Sequence, residues 1–436
     1  MSTEFASSAM PAASGLEARV SIWRRLCEVA ARYGLSASGP LSISGAHFIA
    51  SLVLLRALPQ AEFGLFSFAL IVVPFCLGMS GALLGASIAT TMVRAKAIAE
   101  PELATHLKAS LAFSVLIAVA IGGLMLLSGG GAIAALLFGL YGGSMTLRWF
   151  ARSYAYALGQ RYRVTFSDYA YGGLLLAGLF VLLKTGNLDY LDAAAVFVFA
   201  SIVALFIFGI GYLKKLFTSA VTGSLRAYGP IWRDLTRWSL LGVILTEMTA
   251  NAHAYLVTFI SGPKAFALLA VGSLFMRPVS LCLTALPDLE RPIMARYITG
   301  GEVPRARHSV FEFRAATAAV WIATVALAIV LLFWFPHLVL KSGYDQSDAF
   351  AVLAFWAAIM AVRIFRTPES VFLQAAGEFR PLAGASMRSS VASLVLTFAL
   401  LMVVGPIASL GGVLIGDLVM ASRISSLSHA WRRNHV

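Results

Sequence analysis

Five arginines and two acids lie inside or at the ends of long apolar runs, and their types limit the chemistry this chain can do. Arg277 precedes Pro278 in a run that begins at Ala265, so at ~1.5 Å per residue it lies roughly 18 Å into a helix. Pro278 removes a helical hydrogen bond and invites a kink. Glu247 reaches a similar depth in the preceding run. A guanidinium stays charged and grips phosphate through two parallel hydrogen bonds, so Arg277 suits a phosphate or acidic sugar. An Arg277–Glu247 ion pair locking two helices is the equal alternative. Arg148 and Arg152 share one helical face, and Arg363 and Arg366 occupy the matching place in the second half of the chain. Two arginines from each half could form a cationic vestibule for a pyrophosphate headgroup, or could snorkel to a membrane boundary. Asp417, after Gly411, Gly412 and Gly416, could hold a proton or sodium ion, or could cap a helix break. His47, Asn251 and His253 read as interhelical hydrogen-bonders.

No catalytic set accompanies them. The sequence lacks His-Glu-x-x-His, Gly-x-Ser-x-Gly and the Gly-rich phosphate loop with Lys and Ser/Thr. Cys27, Cys76 and Cys282 have no metal-ligand spacing. The expectation is no catalytic residue, no metal and no cofactor.

The elements that position these charges follow from composition. The 436 residues are 59% hydrophobic and 12% charged, with a mean hydropathy of +0.85. Soluble domains carry about 25% charged residues, so most of this surface must face lipid. A helix needs about 20 largely apolar residues to cross a bilayer. Twelve candidates fit: 41–57, 65–86, 110–127, 132–150, 169–183, 193–213, 238–260, 265–286, 315–335, 349–362 or beyond, 391–404 and 407–420. The predicted class is an all-α integral membrane protein.

Lys and Arg concentrate in alternate loops. The even-numbered loops and both termini hold most of them, including Arg94, Arg161, Lys214, Arg305, Arg380 and Arg432. The odd loops hold Arg56, Lys184, Lys264 and Lys341 beside acids such as Glu62, Asp189 and Asp345. Cytoplasmic loops carry the excess of Lys and Arg, so the pattern predicts an even helix count and cytoplasmic termini. It explains the net charge of +13 without nucleic acid. The odd loops are too short to fold as a catalytic ectodomain.

Residues 54–66 and 257–269 align without gaps, Phe63 meeting Phe266 and Leu65 meeting Leu268. Arg148-Trp-Phe150 similarly matches Arg363-Ile-Phe365. These pairs predict two parallel six-helix halves around a central cavity, with substrate held between them. The expected organisation is an amphipathic segment at 1–34, an N-lobe at 35–213, a linker at 214–237, a C-lobe at 238–426 and a tail at 427–436.

Arg56-x-Leu58 followed by Phe63-Gly64-Leu65-Phe66 resembles the hallmark between the first two helices of the polysaccharide transporter family. That family belongs to the superfamily of multidrug, oligosaccharidyl-lipid and polysaccharide exporters. Trp238-Ser239, Gly262-Pro263, Pro292-x-Met294 with Gly300-Gly301, and Ala375-Ala-Gly377 are similar to later family segments. Two departures are Pro59, where the family usually has Gly, and Asn251 with His253, where members often carry an acid. The latter puts acid-based ion coupling in doubt.

The resemblance implies a twelve-helix, two-lobed flippase of the bacterial inner membrane. Its cargo would be oligosaccharide on undecaprenyl pyrophosphate, feeding O-antigen, exopolysaccharide or capsule assembly, with polysaccharide polymerase and chain-length proteins as partners beside the bilayer. Two rivals remain: a drug or cation antiporter of the same superfamily, and a membrane polymerase or ligase acting on the same lipids.

Overall fold

The computed structural model describes residues 38–85, 87–88, 99–186, 188–336 and 344–435. The amphipathic segment expected at 1–34 lies outside them. The described chain is helical, with no strand. In a hydrocarbon solvent each backbone N–H and C=O must be satisfied within its own segment, which selects helices.

The membrane helices are α1 (Ser38–Ala57), α2 (Gln60–Gly85), α3 (Glu100–Leu127), α4 (Gly131–Ala157), α5 (Arg161–Thr185) and α6 (Tyr190–Phe206). Helix α7 (Ile210–Thr222) is a surface segment. Then follow α8 (Arg237–Ile260), α9 (Pro263–Phe275), α10 (Arg277–Thr299), α11 (Val303–Trp334), α12 (Gln346–Ala375), α13 (Phe379–Val403) and α14 (Ser409–His435). Eight helices are long and apolar enough to cross a membrane, and three bent pairs raise this to 11. Helix α4, 27 residues long, carries Arg148 and Arg152. Outward faces are apolar: only 17% of the apolar window of α11 is buried, and Val119, Phe180, Phe333 and Val403 are exposed. Lipid is the solvent these side chains fit.

Two lobes divide the helices. In the first, α3 packs on α4, and α6 packs on α4 and α5. Helix α1 joins it through His47, whose Nε2 lies 2.7 Å from Tyr171 Oη on α5. In the second, α14 packs on α12 and α13, α8 on α13, and α11 on α10 and α12. The lobes meet chiefly where α2 lies against α8 and α9. Phe68 of α2 stands edge-on to Tyr255, Phe259 and Phe266. The two repeated sequence segments are thus the ones in contact. Gly64 sits so close to Pro263 that an added Cβ would be 1.9 Å from its carbonyl oxygen.

Two sequence expectations change. The sixth apolar run does not continue to Leu213: Gly209, at φ +96°, turns the chain by 98° into α7. Helix α7 leaves Ile210, Phe217 and Val221 exposed beside Lys214 and Lys215, the pattern of a helix lying in the membrane interface. The expected kink at Pro278 is a break, with α9 and the start of α10 at 59°.

Gly64→Ala should push the lobes apart at the odd-loop end. A cysteine placed at Ser67 in a cysteine-free background should then react with a membrane-impermeant maleimide at least several-fold faster than in the Gly64 parent. Equal rates would show that this contact does not seal that end.

Candidate functional site

Charge at membrane depth is resolved in three different ways. In the first lobe, Arg148 of α4 donates through Nη2 to Asp168 Oδ1, and Arg152 Nη2 to Asp168 Oδ2 at 2.8 Å. The side chains of Arg148 and Asp168 are 0% exposed and that of Arg152 6%. Arg148 Nε also donates to Ser167 Oγ at 3.1 Å. Its guanidinium lies 4.9 Å from the Tyr171 ring, and that of Arg152 4.2 Å from Trp149. Gly39 makes room for the group, since a Cβ there would meet Asp168 Oδ2 at 2.4 Å. A buried ion pair needs such extra hydrogen bonds to offset desolvation.

The second lobe repeats the arginines and changes the acid's source. Arg363 Nε and Arg366 Nη2 of α12 each lie 2.8 Å from a different oxygen of Asp417, on α14. Asp417 is 0% exposed, while the arginine side chains are 17% and 20% exposed. No helix break accompanies Asp417, because α14 runs unbroken through it. Gly412 and Gly416 instead let α14 approach α13: added Cβ atoms would lie 2.2 Å from Thr397 N and 2.5 Å from Ser393 Cβ. Small residues four apart are a known route to close helix contact in membranes.

Arg277 is the exception. It opens α10 at the break and lines a cleft between the lobes with Phe48 and Ser51 of α1, Ser67 and Leu70 of α2, and Ser273 of α9. Among the described residues it has no carboxylate partner. The expected alternative, an Arg277–Glu247 ion pair, is not formed. Glu247 accepts from Asn251 Nδ2 at 3.1 Å and Tyr255 Oη at 2.8 Å on its own helix. The cleft holds about 60 Å³, well below the roughly 300 Å³ at which small-molecule sites begin. A larger ligand requires the lobes to part.

Of the expected hydrogen-bonders, His47 does bridge helices. Asn251 bonds within α8, and His253 stands edge-on to Trp356 at 5.4 Å with Nδ1 unpartnered. Asp168 escaped the sequence reading because the fifth apolar run was started at Tyr169, one residue later, whereas α5 begins at Arg161. Glu369 also gains a role: it receives Arg314 at 3.3 Å, Arg432, and Ser428 Oγ at 2.6 Å, tying α11, α12 and α14 together.

No family model matches the chain, and no curated protein does. Solved structures do. The lipid II flippase MurJ in an inward closed conformation matches with a TM-score of 0.64 and 12% identity, over 89% of this chain and 86% of that one. An inward-facing multidrug resistance MATE family transporter of the MOP superfamily gives 0.60 and 14%, over 91% and 94%. A MOP superfamily transporter from Pyrococcus furiosus, described by the reverse polarity of its binding pocket, gives 0.56 and 15%, over 92% and 93%. The chain has the fold of these transporters. It is an all-helical, two-lobed protein with that fold.

The paired and unpaired arginines should separate by stability. Asp168→Asn leaves two buried arginines without a counter-ion and should cost about 3–5 kcal/mol, seen as a lower unfolding midpoint in detergent. Arg277→Gln removes a charge that no partner offsets, so its midpoint should equal or exceed that of the parent. A large loss for Arg277→Gln would reveal a structural role for Arg277.

Proposed function

We propose that this chain is a flippase of the polysaccharide-transporter branch, moving oligosaccharide linked to undecaprenyl pyrophosphate across a bacterial inner membrane. One observation carries the proposal: an arginine without a counter-ion faces the cleft between two lobes. An isolated arginine at the bilayer centre costs about 2.5–3.5 kcal/mol on insertion scales, so such residues mark substrate pathways. A bound pyrophosphate would supply the missing negative charge through bidentate hydrogen bonds. The fold shared with a lipid II flippase supports a lipid-borne cargo. The lysine- and arginine-rich even-loop face is assigned to the cytoplasm, with both termini there.

The mechanism follows from the geometry. The described state closes on Arg277, leaving space for little more than water. The phosphate draws the headgroup to Arg277 when the lobes part at the even-loop face. Its charge then compensates Arg277, which lowers the barrier to carrying both across the apolar zone. Closure at that face with separation of Gly64 from Pro263 would expose the site to the other side. The break before Arg277 places the charge at a joint, where rocking of α9 against α10 changes which face it addresses. No covalent step is required, and the chain is assigned no enzymatic activity. The ion pairs at Asp168 and Asp417 are assigned to holding each lobe rigid during rocking.

A cation antiporter is the second reading, favoured by Glu247, a carboxylate with no cation beside it among the described residues. The two readings separate by residue. Arg277→Ala should lower transport of the pyrophosphate-linked lipid at least tenfold with normal membrane insertion, and Arg277→Lys should recover part of it, since Lys keeps the charge but not the fork. Normal transport by Arg277→Ala, with loss of cationic-drug export in Glu247→Gln, would instead establish the antiporter.

A further inference from the structure

We propose that the second lobe contains its own oxyanion site, built by Arg363 and Arg366 and separate from Arg277. A cavity of about 390 Å³ lies among α8, α10, α12, α13 and α14. Both arginines line it, with Thr246, Ser280, Thr284 and Thr367. Its volume falls in the range of small-molecule sites, roughly 300–1,000 Å³.

Comparison of the two lobes carries the inference. Each has two arginines and one aspartate, a net charge of +1. In the first lobe that excess is spread over the Tyr171 and Trp149 rings and Ser167, and the group is sealed. In the second, among the described residues, neither arginine stacks on a ring; Arg363 Nη2 and Arg366 Nε make no hydrogen bond, as Arg152 Nε makes none in the first lobe, but here the two arginines line a cavity. The same uncompensated charge therefore stands in a wall of the cavity, beside hydroxyls.

Those hydroxyls now donate to their own helices: Thr246 Oγ1 to Gly242 O at 2.9 Å, Ser280 Oγ to Met276 O at 3.3 Å and Thr284 Oγ1 to Ser280 O at 3.1 Å. A hydroxyl rotates at little cost, so each can turn its hydrogen toward an anion. Two guanidinium groups and rotatable hydroxyls suit a phosphate or carboxylate, planar or tetrahedral. A metal cation is excluded from this position by the arginines. The site does not depend on the proposed cargo. Its occupant is an oxyanion either free in the aqueous phase or borne on a lipid.

The test uses the purified full-length protein. Inorganic phosphate is titrated by equilibrium dialysis, and phosphatidic acid retained from mixed-lipid nanodiscs is measured by native mass spectrometry. Arg277→Gln, which removes the anion site of the cleft, serves as the parent for every measurement, so the remaining signal belongs to this cavity. Arg366→Gln should weaken the active signal at least tenfold. Because that change also disturbs Asp417, Thr284→Glu provides the second variant: it supplies a carboxylate inside the cavity, and should abolish binding while leaving the unfolding midpoint equal or higher. Phosphate binding lost in Thr284→Glu identifies a free anion. Retained phosphatidic acid lost in Thr284→Glu identifies a lipid-borne one. Neither ligand binding the parent protein, or binding that survives Thr284→Glu, would overturn the proposal.

Discussion

The governing constraint is the cost of holding an ionised side chain away from water. Every arginine at membrane depth here must either find a carboxylate or remain exposed to a space that something charged will fill. Arg148, Arg152, Arg363 and Arg366 take the first course, sharing Asp168 and Asp417. Arg277 takes the second. The helices are arranged around this division: α5 and α14 bring acids inward to α4 and α12, while α1, α2 and α9 leave Arg277 at the seam between lobes. Truncating one member of a buried pair strands its partner, so the Asp168 and Asp417 carboxylates belong to the scaffold.

Much of this arrangement was legible in residue order. Apolar run lengths and the alternation of basic loops give the helices, and the matching Arg-x-Phe segments give the equivalence of α4 and α12. The gapless match of 54–66 with 257–269 marks the very contact on which the lobes close. Counter-ions were not legible. The repeat places arginines at equivalent depths, but the acids come from α5 in one lobe and α14 in the other, so no symmetry argument reaches them. The apolar run opens at Tyr169, eight residues after the helix begins at Arg161, so Asp168 falls outside it. Hydropathy alone also carries the sixth run past Gly209, because a positive φ leaves no trace in an apolar average. The glycines before Asp417 suggest a helix break in sequence, and their packing against Ser393 and Thr397 shows close helix contact instead.

The symmetry is useful because it is imperfect. One lobe sheathes its paired arginines in aromatic rings, and the other leaves them beside a cavity. The lobes share a fold and a net charge but differ in what they can hold. At the seam α9 and α10 meet at an angle, α2 lies against α8 and α9, and a cleft of about 60 Å³ has Arg277 in its wall.

The central claim is that the seam selects anionic lipid. It is tested most directly in proteoliposomes carrying a fluorescent undecaprenyl-pyrophosphate oligosaccharide in one leaflet, by following the fraction that an impermeant quencher reaches over time. The account predicts protein-dependent movement that excess inorganic pyrophosphate inhibits and a cationic dye does not. Movement of the cationic dye alone, with the pyrophosphate-linked lipid confined to its original leaflet, would contradict it.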